Sequence, residues 1–138
     1  MISPAVADRV GKVRRFFELL ERKDIDAWGE LWHGQARLVT PYPAEGFSST
    51  IEGKTEIVTA FHDLFNNFEV FEIELSGVYP AADSDAVCVE YVPRATLVGG
   101  SKYTNDNIAV FRFRDGLISD YHDYFDPRRF QSVVDQLR

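Results

Sequence analysis

Residues 118–127 read ISDYHDYFDP, which places three carboxylates and an imidazole within ten positions. A carboxylate on the wall of an apolar hollow is poorly solvated. Its pKa then climbs towards neutrality, where one group can both take and return a proton. Asp123 is the sharpest candidate for that work. Glu90, on an earlier strand, would act beside it and pull the two titrations apart by like-charge repulsion. His122 is the alternative base, with an intrinsic pKa suited to neutral pH, and is expected on the opposite face. Asn105 and Asn107 are unusual residues for a strand and would orient a carbonyl or hydroxyl if they faced a cavity. Asp126, just ahead of Pro127, reads as a helix cap. His33 reads as closing a helix, and His62 as a helical residue near or outside a pocket. No spacing of His and acids supports a metal site.

Which of these groups shares a face depends on one turn, because strand side chains alternate strictly. If residues 114–116 form a three-residue turn, Phe113 pairs with Leu117. Tyr121, Asp123 and Phe125 then join Asn105, Asn107 and Phe111. If Asp115-Gly116 is a two-residue turn, the pairing shifts by one, and Asp120, His122 and Tyr124 take their place.

The elements that must hold these residues follow from periodicity. Val6, Val10, Val13, Phe17 and Leu20 recur at helical spacing. Asp24 can cap a shorter helix, DIDAWGELW, which would put Trp28 and Trp32 one turn apart. ARLVTPY reads as a strand stopped by Pro41 and Pro43, and GFSST as a short arm before Gly53. A third helix follows, with Ile57, Phe61, Leu64 and Phe65 as its apolar stripe. From Phe68 the pattern turns to strand: FEVFEIELSGVY, AVCVEYVPRATLV, KYTNDNIAVFRF and LISDYHDYFD, followed by a last helix after Pro127. Helices first and long antiparallel strands afterwards argue an α+β fold. The expected form is a single domain over residues 1–138, with N-terminal helices packed on a strongly curved antiparallel sheet that encloses a pocket. Trp28, Trp32, Tyr42, Phe61, Phe65, Tyr91 and Tyr121 are the aromatic groups expected to line it, with Asn107 among them. Residues 43–46 read as a surface loop at its mouth.

Composition narrows the partners. With 45% apolar and 14% aromatic residues in 138, the chain can bury a core. The net charge of −7 opposes nucleic acid and anionic membrane, and the basic residues are scattered. No stretch is apolar for long enough to cross a bilayer, and no leader-like pattern opens the chain, so a reducing cytoplasm is expected. Cys88 is the only cysteine, which excludes an internal disulfide.

The order of elements, together with Pro41-Tyr42-Pro43 ahead of Gly53 and a helix, Val89-Glu90-Tyr91, Tyr103 with Asn105, Asp115-Gly116-Leu117-Ile118 and Asp123-Tyr124-Phe125-Asp126-Pro127, resembles the NTF2-like superfamily. The resemblance is to its SnoaL-like branch of polyketide cyclases, phenazine-biosynthesis A/B proteins and ketosteroid isomerase-like proteins. It implies a cone-shaped fold with a pocket and no cofactor. It places the branch's terminal-strand acid/base on Asp123, a frequent acid on Glu90 and a frequent amide on Asn105, and so favours the three-residue turn. The departures are informative. Phe16 and Phe17 stand where ketosteroid isomerase carries a helix Tyr. Arg94 lacks the acid two residues on that limonene-epoxide-hydrolase-like members use. The resemblance therefore implies a cofactor-independent isomerase, cyclase or hydrolase acting on a small hydrophobic oxygenated molecule. The alternative is a non-catalytic small-molecule-binding or dimerisation module. A homodimer through the outer sheet face is expected in either case.

Overall fold

The structure is a computed structural model that describes residues 3–137. Helix α1 (Pro4–Glu21) begins with Ser3, whose hydroxyl accepts a hydrogen bond from the Val6 amide, and with Pro4 in its first turn. It buries Val13, Phe16, Phe17, Leu19 and Leu20. Helix α2 (Ile25–Gly29) is capped by Asp24, as its sequence suggests, but it stops earlier than expected. Trp32 opens strand β1 (Trp32–Val39) instead of extending the helix, and His33 is a strand residue. Gly29 sits so close to helix α3 (Lys54–Phe65) that a Cβ would meet the Val58 side chain at 2.8 Å. Close packing of α2 on α3 and the pairing of Trp32 with Ile118 together set this boundary.

Strand β2 (Thr50–Glu52) pairs with β1. The long strands are β3 (Phe68–Pro80), β4 (Val87–Leu97), β6 (Asn107–Arg114) and β7 (Leu117–Tyr124), with the three-residue β5 (Lys102–Thr104) beside β4. Helix α4 (Pro127–Val134) ends the fold. The sheet runs β2-β1-β7-β6-β4-β3, with β5 attached to β4. It is α+β and curved, but not wholly antiparallel as expected, because β1 and β7 pair in parallel. These two strands are far apart in the chain, so their pairing needs no tight turn and either direction is open to them.

Bulges bend the sheet. The register of β3 on β4 shifts between Phe68 and Val70 and again between Leu75 and Gly77. Phe71, Ile73, Leu75 and Val78 of β3 pack on the core beside the buried Phe68. Each three-residue gap in that series (68 to 71, 75 to 78) absorbs one extra residue. Strand β4 has no such gap: Val87, Val89, Tyr91, Pro93, Ala95 and Leu97 are all buried, in strict alternation. Pro93, which has no N–H to give, falls between the Tyr91–Asn107 and Arg94–Thr104 pairs, where β4 passes from β6 to β5.

Asn105 closes that break. It is 1% exposed; its Nδ2 donates to the Tyr103 hydroxyl (2.9 Å) and the Asp126 carbonyl (3.0 Å), and its Oδ1 accepts from the Asp126 amide (3.3 Å). Asp126 in turn caps α4 by accepting from the Arg128 amide, which holds its carboxyl below the usual range. One amide thus pins the last helix to the sheet. Replacing Asn105 with Ala strips partners from two backbone groups of Asp126 at once. Urea unfolding is expected to show a loss of about 2–3 kcal/mol.

Candidate functional site

The carboxyl of Asp123 reaches the concave face by a route that neither simple turn describes. Asp115 and Gly116 both have positive φ (55° and 76°), and Arg114 pairs with Leu117, so the turn has two residues. Taken alone, this register would send His122 inward. However, Phe113 pairs with Ile118 while Arg112 pairs with Asp120, so Ser119 is an extra residue in β7. The bulge restores the other parity: Phe111 faces Tyr121 and Ala109 faces Asp123. The expected three-residue turn is therefore wrong, yet the set of residues it placed on the concave face is largely right. The signal was in the sequence, since the buried Ile118 and Tyr121 are three residues apart.

Asp123 sits among hydroxyls. Tyr91 donates to its Oδ1 at 2.8 Å, the Tyr91 and Tyr121 oxygens are 3.2 Å apart, and Asn107 Nδ2 donates to the Tyr91 hydroxyl at 3.1 Å. Three strands supply these groups. Tyr91 and Asn107 are direct partners across β4 and β6, and Asp123 is the partner of Ala109. The single methyl of Ala109 leaves the space over β6 through which Tyr91 reaches the acid. Behind Tyr121 the narrow end of the cone is packed with rings: Phe16 lies 5.1 Å from Tyr121, 4.9 Å from Phe111 and 5.3 Å from Trp28, centroid to centroid.

Burial pushes Asp123 up to about 7, against the hydrogen bonds from Tyr91 and Tyr121, which favour the ionised form. Burial, and next the charge of Asp123, push both tyrosines well above their ordinary value, so they stay protonated donors. The acid faces a cavity of about 440 Å³. Its walls are chiefly apolar, drawn from Phe17 of α1, Phe61 and Phe65 of α3, Phe71 and Ile73 of β3, and Phe125. Exposed lining residues, namely Gly46, Phe47, Ser48 and Asp63, mark its rim. Loop 41–49 is tied to α4 there: the Glu45 amide donates to Gln131 Oε1 (2.9 Å), and the Phe47 ring meets Phe130.

Of the expected site residues, the structure brings Asp123, Tyr91, Tyr121, Asn107, Phe61 and Phe65 to this cavity. Glu90 is not among them. It is exposed on the outer face, where it accepts from the Tyr79 hydroxyl (2.8 Å). Neighbours on a strand point to opposite sides, so Glu90 and Tyr91 could never both line the pocket. Asn105 is the clamp described above. Trp28 and Trp32 are fully buried core residues behind the wall, Trp28 stacked on Phe61 at 4.4 Å. Tyr42 is 63% exposed and leans on Tyr124 outside. His122 lies on the outer face, its pKa lowered by partial burial and by Arg112. His62 is bonded to Asp26 on α2 at 2.8 Å, away from the cavity lining. Among the described residues, no three of His, Cys, Asp and Glu are grouped to hold a metal ion. None of the described helices is long and apolar enough to cross a membrane. Tyr103, Phe125 and Phe130 also line the cavity, beyond the aromatic groups that the sequence pointed to as its lining.

A helix-backed, bulged sheet around a carboxyl-bearing aromatic hollow is the architecture of the NTF2-like fold. The chain belongs to the SnoaL-like domain family, whose profile it matches over residues 13–121. It is 33% identical to the uncharacterised protein YesE of Bacillus subtilis over 116 residues, covering 83% of this chain and 79% of that one. It is likewise 33% identical to the uncharacterised PhzA/B-like protein PA3332 of Pseudomonas aeruginosa over 112 residues, 80% of this chain and 79% of that one. Among solved structures, a candidate isomerase from Bacillus subtilis superposes with a TM-score of 0.85 at 29% identity, covering 96% of each chain.

A carboxyl that keeps its proton up to about pH 7 when folded, but loses it near 4 when unfolded, adds stability only in acid. That contribution is complete below about pH 4 and gone above about pH 7. Asp123→Asn has no such dependence. The variant is expected to be the more stable protein at pH 8, by no more than about 4 kcal/mol, with the gap closing as the pH falls to 4. Chemical denaturation across that range measures it.

Proposed function

We propose that this protein is a cofactor-independent acid/base enzyme, of isomerase or cyclase type, acting on a small hydrophobic oxygenated molecule held in the aromatic cavity. One observation carries the reading: a carboxyl group with a pKa near 7, on the wall of an apolar cavity of about 440 Å³, bonded to tyrosine hydroxyls. The volume lies within the ~300–1,000 Å³ range of small-molecule sites. Near neutral pH both forms of Asp123 are accessible: the carboxylate can remove a proton from carbon or water, and the acid can return one. The tyrosines complete the step. While Asp123 is ionised, Tyr91 donates to it. Once Asp123 has taken the proton, that hydroxyl is free to donate to the oxygen on which charge develops.

A second reading, a non-catalytic binding module, is favoured by the outward position of Glu90. Without it, the deep wall has no second titrating acid beside Asp123. The two readings part on one substitution. As an enzyme, Asp123→Asn should lose at least about a thousandfold in kcat while still binding ligand; a binding module should keep its ligand affinity and show no turnover in either form. A rate profile for the enzyme should rise or fall through pH 7, the pKa of the group doing the work.

Self-association through the outer sheet face is part of the same proposal. Val70, Tyr79 and Ile108 are exposed there, at 45%, 51% and 42%. Sedimentation should find a dimer for the wild type and a monomer for Ile108→Lys.

A further inference from the structure

Asn107 is held at the cavity by only half of its amide. Its Nδ2 is committed to the Tyr91 hydroxyl, whereas its Oδ1 is buried with no donor among the described residues. Asparagine is disfavoured in strands, and a buried acceptor left unpaired costs about 1–3 kcal/mol. Supporting Tyr91 does not account for that arrangement, because a residue with a donor alone would do as well. Two other buried polar atoms lack partners, the indole nitrogens of Trp28 and Trp32, but those residues lie in the ring-packed core and not on the cavity wall. Asn107 is 7% exposed, lines the cavity, and stands in direct register with Tyr91.

We infer that Asn107 determines specificity by accepting a hydrogen bond from the ligand, so that the molecule bound here bears a hydroxyl or N–H donor beside the oxygen or carbon that meets Asp123. The inference rests on the cavity being a ligand site, as proposed above, and narrows the ligand from hydrophobic and oxygenated to one with a free donor: a hydroxy-ketone, an enol or a phenol. A methyl ether or a bare hydrocarbon of the same shape leaves Oδ1 unpaired and keeps that cost in the complex. A site built around an unfilled polar atom rejects analogues lacking the matching group far better than an apolar wall can.

The wiring gives the donor a second consequence. Asn107 and Asp123 both bond to the Tyr91 oxygen, one by donating to it and the other by accepting from it. A ligand donor on Oδ1 draws electron density towards that oxygen and polarises the amide, which strengthens the Nδ2–H bond to Tyr91. Tyr91 then donates more strongly to whichever anion it faces. Ligand recognition and acid strength are coupled through one side chain.

The test uses 2-naphthol, 2-methoxynaphthalene and naphthalene as probes, titrated against the full chain at pH 7. The wild type is expected to bind 2-naphthol roughly tenfold more tightly than the methyl ether. Asn107→Leu should bring that ratio to about one. Asp123→Asn should keep it, since it removes neither the acceptor nor the Tyr91 hydroxyl that holds Asn107. If Asp123→Asn abolishes the preference and Asn107→Leu keeps it, the hydroxyl is read by the acid and the inference is overturned. If the wild type binds ether and naphthol equally, the inference fails while the cavity remains a ligand site. If no naphthalene binds at all, the reading of the cavity fails with it. Should Asn107→Leu not fold, the side-chain amide resonances of Asn107 in the wild type give the answer: they should shift with 2-naphthol and not with its ether, and equal shifts would overturn the inference.

Discussion

The placement of one carboxyl group in a space that water cannot solvate well is the constraint on which the molecule turns. Desolvation alone would drive Asp123 to remain neutral under all ordinary conditions. Hydroxyl groups alone would hold it ionised. The cavity combines the two in unequal measure, and the acid comes to rest near neutrality. This balance needs dry walls and correctly aimed donors together. The ring-packed narrow end supplies the first, and Tyr91 and Tyr121 supply the second.

The rest of the fold can be understood as the means of holding that balance. Bulges in β3 curl the sheet until its concave face becomes a hollow. The small Ala109 lets a tyrosine from one strand touch an acid two strands away. Asn105, a site candidate on its sequence, bonds to the backbone of Asp126 and fixes the last helix where it forms part of the wall.

Much of this is legible in the sequence, and what is not has several physical causes. Helix stripes, caps at Asp24 and Asp126, and the switch to strand at Phe68 rest on local periodicity and appear where expected. The parallel pairing of β1 with β7 could not be seen, because nothing local encodes the direction of strands that meet from opposite ends of the chain. Glu90 and Tyr91 are neighbours on β4, so strand alternation alone separates them onto opposite faces. The turn was misjudged because a bulge four residues on from Asp115 cancels its effect, and only the Ile118–Tyr121 spacing betrays it. The size of Trp28 and Trp32 says only that their rings are buried, not on which side of a wall they lie.

The extra residue at Ser119 has a consequence for how the last strand can vary. The strand carries two alternating sets of groups, and Asp123 belongs to the one that looks inward. Deleting Ser119 would leave Asp120 opposite Arg112 and Asp123 opposite Ala109, as they are now. Drawing Ser119 into regular pairing opposite Arg112 would instead slide every later residue by one and bring His122 opposite Ala109. The inward acid thus survives loss of that codon but not a slip of the strand.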